Sequence, residues 1–203
     1  MDISDLLQGP LKDVIIGQVG KQFGIEDSTK ANSAVDGIFA TLLNAVAKNA
    51  SKPEGRTELK SALEKDHDGS ILDNLGGFLS GAMQPSNPNT ANGAGILKHI
   101  LGDKQEAATE NISKESGIDV GKIGALMTIL APIVLGYLGK ANATQQAQPQ
   151  QGGGLMDIIM GATKTVNQQP TNQSFIQKML DKDGDGSIID DIASMGFKSI
   201  FGK

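Results

Sequence analysis

The chain has 203 residues, 38% of them hydrophobic but only 3% aromatic, with no Trp, one Tyr and 26 Gly, so its core must be aliphatic with glycines at close contacts. A net charge of -5 and the lack of any Lys/Arg stripe weigh against a nucleic-acid partner, because phosphate neutralisation dominates such binding. The absence of Cys excludes disulfides, thiolate metal sites and Cys nucleophiles.

The first residues, Met1-Asp2-Ile3-Ser4-Asp5, lack a basic segment followed by an apolar run. No secretory signal is visible, and a cytoplasmic location is expected, with export by another route left open. Pro10 suits the first turn of a helix whose stripe is Leu11, Val14, Ile15, Val19 and Phe23, closed by Gly24. Val35, Ile38, Phe39, Leu42, Leu43 and Val46 follow the 3, 4 spacing of a second helix. An acidic turn comes next: Glu64, Asp66, Asp68, Ser70 and Asp73 fall on oxygen-donor positions of a calcium loop, with Gly69 at the sharp bend. Its Glu at the entry makes this the weaker of two such loops. His67 lies between two of these acids and is expected to point outward.

Residues 82–92 are polar with two prolines and read as an exposed connector. Asp103 and Glu106 form a capping-box pattern for a helix ending near Gly117. Ile123 to Gly139 carries no charge, is flanked by Lys122 and Lys140, and contains Pro132. It sits at the lower length limit for a membrane span and reads instead as a central helix buried on most sides, so no span is expected. Residues 144–154 are rich in Gln and Gly, the composition of a linker. After them, Leu155-Met156-Asp157-Ile158-Ile159-Met160 reads as a short helix that docks on the bundle, or as a detachable Met-rich interaction segment.

The second acidic turn carries the clearest site chemistry. Asp181-Lys182-Asp183-Gly184-Asp185-Gly186-Ser187-Ile188 matches the D-x-D-x-D-G-x-I face of an EF-hand loop. Asp181, Asp183 and Asp185 would donate carboxylates and Ser187 its carbonyl, with Ile188 anchoring the loop. Where the standard loop ends on a bidentate Glu, this chain has Ile192. Asp190 and Asp191 are the available exit acids, as in dockerin-like or shortened variants. Fewer ligands argue for a dissociation constant of about 10⁻⁶ to 10⁻³ M for Ca²⁺. A metal-free explanation exists as well, because Ser70/Asp73 and Ser187/Asp190 are both S-x-x-D capping patterns.

The two turns belong to a longer internal likeness. Gly24-Ile25 matches Gly117-Ile118, Leu42-Leu43 matches Val134-Leu135, and Lys48 matches Lys140, at nearly constant offset. The acidic copies lie further apart, which places an insertion between Ala141 and Gln173. The expected organisation is a first helical repeat over 1–81, a linker over 82–92 and a second repeat over 93–141. A Gln/Gly-rich linker with its short helix covers 142–172, and an EF-hand-like helix-loop-helix covers 173–203. No segment alternates as a strand does, so the expected fold is all-α: a helical bundle of two pseudo-repeats.

The stretches 35–48, 93–102, 116–118 and 130–140 resemble the bacterial "domain of unknown function 937" family, over about residues 1–141. That resemblance implies an all-helical, non-enzymatic bacterial protein and carries no catalytic residues to transfer. No Ser/His/Asp constellation is present in the pattern, and Gly152-Gly153-Gly154 lacks the Lys-Ser/Thr of a phosphate loop. The expected function is binding or scaffolding with a structural calcium site, through self-association or a protein partner. The rival expectations are a calcium sensor exposing Met156/Met160 or Met195, and a helical nucleic-acid or envelope-associated module.

Overall fold

A computed structural model describes Leu6, residues 8–147 and residues 154–168. Among these residues every regular element is helical and none is a strand. The helices are α1 (Pro10–Phe23), α2 (Ser28–Ala50), α3 (Pro53–Lys65), α4 (Leu75–Leu79), α5 (Gly93–Leu101), α6 (Gln105–Ser116), α7 (Val120–Ala147) and α8 (Leu155–Asn167). Short 3₁₀ turns at Ser70–Asn74, Pro88–Ala91 and Gly102–Lys104 join them.

The ends of the helices follow from local chemistry. Pro10 opens α1, where its missing N–H costs nothing, and Gly24 closes it in the left-handed region at φ 60°. Gly117 ends α6 in the same way at φ 67°. Each corner leads to an aspartate cap: Asp27 accepts from the amides of Thr29 and Lys30, Asp119 from those of Gly121 and Lys122. These two corners therefore share one local geometry. The Asp103/Glu106 box does not form. Residues 102–104 tighten into a 3₁₀ turn, so α6 starts at Gln105 with no side-chain cap.

Two central helices carry the core. Residues 34–43 of α2 and 130–139 of α7 are buried without interruption, the mark of helices enclosed on all sides. Val35, Ile38, Phe39, Leu42, Leu43 and Val46 are each 1% exposed or less, as their spacing predicts. Burying each contributes about 1.5–3 kcal/mol. The helix α7 is long and apolar enough to cross a membrane, and 61% of its most apolar stretch is buried inside this bundle. Around this pair pack α1, α3, α5, α6 and α8.

Three details refine the pattern read in the sequence. Val14 is 42% exposed, so the working face of α1 is Ile15 and Val19. The segment from Leu155 docks as a helix: α8 buries Leu155, Ile159, Ala162 and Val166 against α2 and α7, and Asn167 bonds Asn44 at 3.0 Å. Residues 82–92 are more than an exposed connector, since Pro88–Ala91 forms a turn with Thr90 buried.

Among the described residues an ion pair lies inside the bundle. Lys12 of α1 reaches Asp36 of α2 at 2.7 Å, with side chains 12% and 6% exposed. Glycines set the closest helix contacts. A Cβ on Gly93 would overlap the Thr128 carbonyl oxygen. That carbonyl lies four residues before Pro132, which has no N–H to offer it.

Candidate functional site

The site grows out of the end of α3. The amides of Asp66 and His67 both reach back to the Ala62 carbonyl, at 2.9 and 3.0 Å, and the helix stops. Asp68 Oδ1 then accepts from the Ser70 amide at 3.0 Å, and Gly69 turns the chain at φ 94°. Only glycine takes that conformation cheaply, and a Cβ there would also press on Lys140. Asn74 Oδ1 accepts from the Gly77 amide and caps α4.

Each acid of this turn is matched by a protein donor. Asp66 Oδ1 accepts from Asn87 Nδ2 at 2.9 Å and Asn89 Nδ2 at 3.2 Å. Those amides, Asn87 foremost, hold its carboxyl below the usual carboxylate range. The Ser70 amide does the same for Asp68. Asp73 accepts from Lys140 Nζ of α7 at 2.6 Å, and Glu64 accepts from Gln146 at 3.1 Å. Thr90 donates its hydroxyl to the Asp66 carbonyl oxygen. The turn is thus a staple between α3, the Pro88–Ala91 turn and α7.

The calcium reading of the first loop finds no support in this geometry. Glu64, Asp66, Asp68, Ser70 and Asp73 do not converge on one point, because the first, second and last face three different partners. Among the described residues no three metal-ligating His, Cys, Asp or Glu side chains gather. The capping differs from the Ser70/Asp73 pattern: Asp68 accepts from the Ser70 amide and Asn74 from the Gly77 amide, while the Ser70 hydroxyl bonds Asp68 rather than capping a helix. The second loop, with Asp181, Asp183, Asp185, Ser187, Asp190 and Asp191, lies outside the described residues.

His67 is the largest departure from expectation. It is 4% exposed, turned inward, and its Nδ1 has no protein partner. Burial pushes its pKa down, and the neighbouring Asp66 and Asp68 only partly oppose this. His67 is among the residues lining a cavity of about 360 Å³ between α2, α3, α5 and α7. Val46, Leu59, Ile96, Ile100 and Leu135 supply apolar wall, and Glu58 and His99 pair at 3.6 Å on its exposed edge. Asn49, Asn89 and Asn92 add polar rim, each already bonded: to the Ile100 carbonyl, to Asp66, and to the Gly95 amide.

Sequence reasoning missed this cavity and the donors Asn87, Asn89 and Lys140. One signal was present. Asn87-Pro88-Asn89-Thr90 begins a turn, with Asn87 Oδ1 accepting from the Asn89 amide at 3.0 Å. Nothing local says that the turn faces Asp66.

These features define an all-helical bundle with an acidic staple and an apolar cavity beside it. The chain belongs to the family described as "Bacterial protein of unknown function (DUF937)", whose model matches residues 5–141. The matched span holds both the staple and the cavity and ends before α8 and the second acidic turn. No curated protein and no solved structure matches the chain.

Proposed function

We propose that this is a non-catalytic binding or scaffolding protein whose second acidic turn takes Ca²⁺ as a structural joint. The observation that supports it is the contrast between two copies of one acidic motif. In the first copy Asn87, Asn89, Lys140 and the Ser70 amide supply the positive ends that the carboxylates need. The second copy replaces Glu64 by Asp181, keeps Asp183 and Asp185, and adds Asp191 beside Asp190. Carboxylates so close together repel unless something offsets them, and a hard cation does so with the ligand types present.

A structural role is favoured over a sensor. The apolar face of α8 is spent on α2 and α7, which leaves Met160, 57% exposed, as an isolated apolar residue rather than part of a groove. The acidic net charge favours a protein partner or a second copy of the chain over nucleic acid. The test is a thermal melt in calcium against chelator, with terbium luminescence alongside. Calcium raises the melting temperature and terbium lights up, and Asp183→Ala or Asp185→Ala abolishes both. A wild-type chain indifferent to calcium, chelator and terbium rejects the proposal.

A further inference from the structure

We propose that the acidic turn at 181–191 docks on a lysine cluster where α2 ends and α3 and α6 begin, its carboxylates facing Lys48, Lys52 and Lys104 of the same chain. This goes beyond the calcium reading and does not depend on it. Five carboxylates, Lys182 and one divalent ion still leave two negative charges for the lysines to meet. Three exposed ammonium groups gather at this place in a chain that is acidic as a whole. Asn49 ties the end of α2 to the Ile100 carbonyl at 3.1 Å, four residues before Lys104. Lys104 comes within side-chain hydrogen-bonding reach of Lys48, and its charge foremost pushes the Lys48 ammonium below its usual pKa, with Lys52 adding less. Among the described residues no carboxylate pairs with any of the three; the ion pairs use other cations. Asp103 and Glu106, close to Lys104 in sequence, line a separate groove with Thr109 and Val120. Lys48 and Lys52 flank the end of α2, where the helix dipole favours a cation. Lys104 stands at the start of α6, where the dipole disfavours one, and no side chain caps that end. An anion placed here answers both the uncapped amides and the mutual repulsion of the lysines.

The same chain supplies that anion at the right place. Helix α8 ends at Asn167, which bonds Asn44 of α2 at 3.0 Å. Lys48 follows Asn44 by four residues, so it lies on the same face of α2, about 6 Å further along. The chain therefore leaves α8 beside the cluster. Gln168 and Asp181 are 13 positions apart, a span of up to about 45 Å, so the tether does not limit the contact. Residues 181–191 hold five Asp and one Lys, the densest run of carboxylates in the sequence. Tethering makes the meeting intramolecular, which offsets the weakness of each exposed pair.

The chain has no Cys, so Ser194→Cys gives one attachment point for a spin label just past the acidic turn. Amide NMR of the full chain in chelator is expected to show paramagnetic broadening at residues 48–52 and 104–106. The broadening is strong at about 20 mM salt, where charges act over roughly 20 Å, and fades at about 1 M, where they act over about 3 Å. Lys48→Gln with Lys104→Gln lowers it about fourfold, about twofold for each exposed pair. Asp183→Asn with Asp185→Asn produces a similar loss from the other side of the contact. Lys48→Glu with Lys104→Glu abolishes the broadening, and adding Asp183→Lys with Asp185→Lys to that variant restores it. A ¹⁵N chain without label, mixed with spin-labelled chain lacking ¹⁵N, shows none. The proposal is overturned by no broadening at low salt, or by broadening that survives 1 M salt or the charge reversal. It is equally overturned by broadening in the mixed sample, which places the acidic turn of a second copy on the lysines. Because metal is absent throughout, each of these outcomes leaves the terbium and calcium test to stand or fall by itself.

Discussion

Replacing Gly139 by alanine tests the close seat of the acidic turn on α7. A Cβ at this position would stand 2.8 Å from the His67 carbonyl carbon, with the carbonyl oxygen nearer still and Asp68 Cα at 3.4 Å. Carbon pairs settle at about 3.5–4.0 Å, so turn and helix must separate by roughly 1 Å. Every obstructing atom is backbone, and none can swing away as a side chain would. Overpacking of this kind costs about 1–3 kcal/mol, and a rigid neighbour places it near the upper end. Alanine returns up to about 1 kcal/mol of helix propensity, which leaves a net loss of about 2 kcal/mol. For a chain of this length that lowers the melting temperature by roughly 4–8 °C. Gly17→Ala and Gly161→Ala are the controls: both glycines are helical with open space at the Cβ position, so both variants gain up to about 1 kcal/mol. Urea unfolding of the three variants decides the matter. If Gly139→Ala is as stable as the controls, the turn does not sit on α7 as described.

The buried pair is expected to behave as a unit. Lys12→Met removes the cation paired with the buried Asp36 carboxylate and costs about 3 kcal/mol, while Lys12→Met with Asp36→Leu recovers to within about 1 kcal/mol of wild type in the same urea assay. Asn87→Ala removes the main donor to Asp66 and costs about 1 kcal/mol at pH 7. Because the folded pKa of Asp66 is depressed, the stability it contributes is present above the ordinary carboxylate value and is lost as pH falls through the folded one. The cost of Asn87→Ala therefore shrinks as pH falls below the ordinary carboxylate range, which paired urea titrations read directly. His67 works in the same direction from a different cause. Its burial makes the unfolded chain the better proton binder, so stability falls as pH drops below about 6.5 toward the folded pKa. His67→Gln flattens that slope between about pH 7 and 5.

The parts of the fold legible in the sequence are those set by neighbours along the chain. Pro10, Gly24 and Gly117 mark helix ends through their own backbone limits, and the α2 spacing marks the face it buries. The burial of residues 130–139 of α7 also fits local facts, since the stretch from Ile123 to Gly139 carries no charge to hold in water. What stayed hidden depends on pairs distant in sequence. His67 turns inward because the His67–Gly69 stretch sits against Gly136, Gly139 and Lys140, about seventy positions away. Asp66 reads as a metal ligand until Asn87 and Asn89 are seen on it. Likewise the Asp103/Glu106 pattern was a sound capping box by itself, yet the 3₁₀ turn at 102–104 took its place.

Calcium stoichiometry by isothermal titration, on the wild type and on Asp66→Ala and Asp183→Ala, bears most directly on the division of labour between the two acidic turns. The expected result is one ion per chain, kept in Asp66→Ala and lost in Asp183→Ala. Two ions per chain, or one that disappears with Asp66→Ala, would mean that the first turn opens to metal and that its protein donors do not hold it as described.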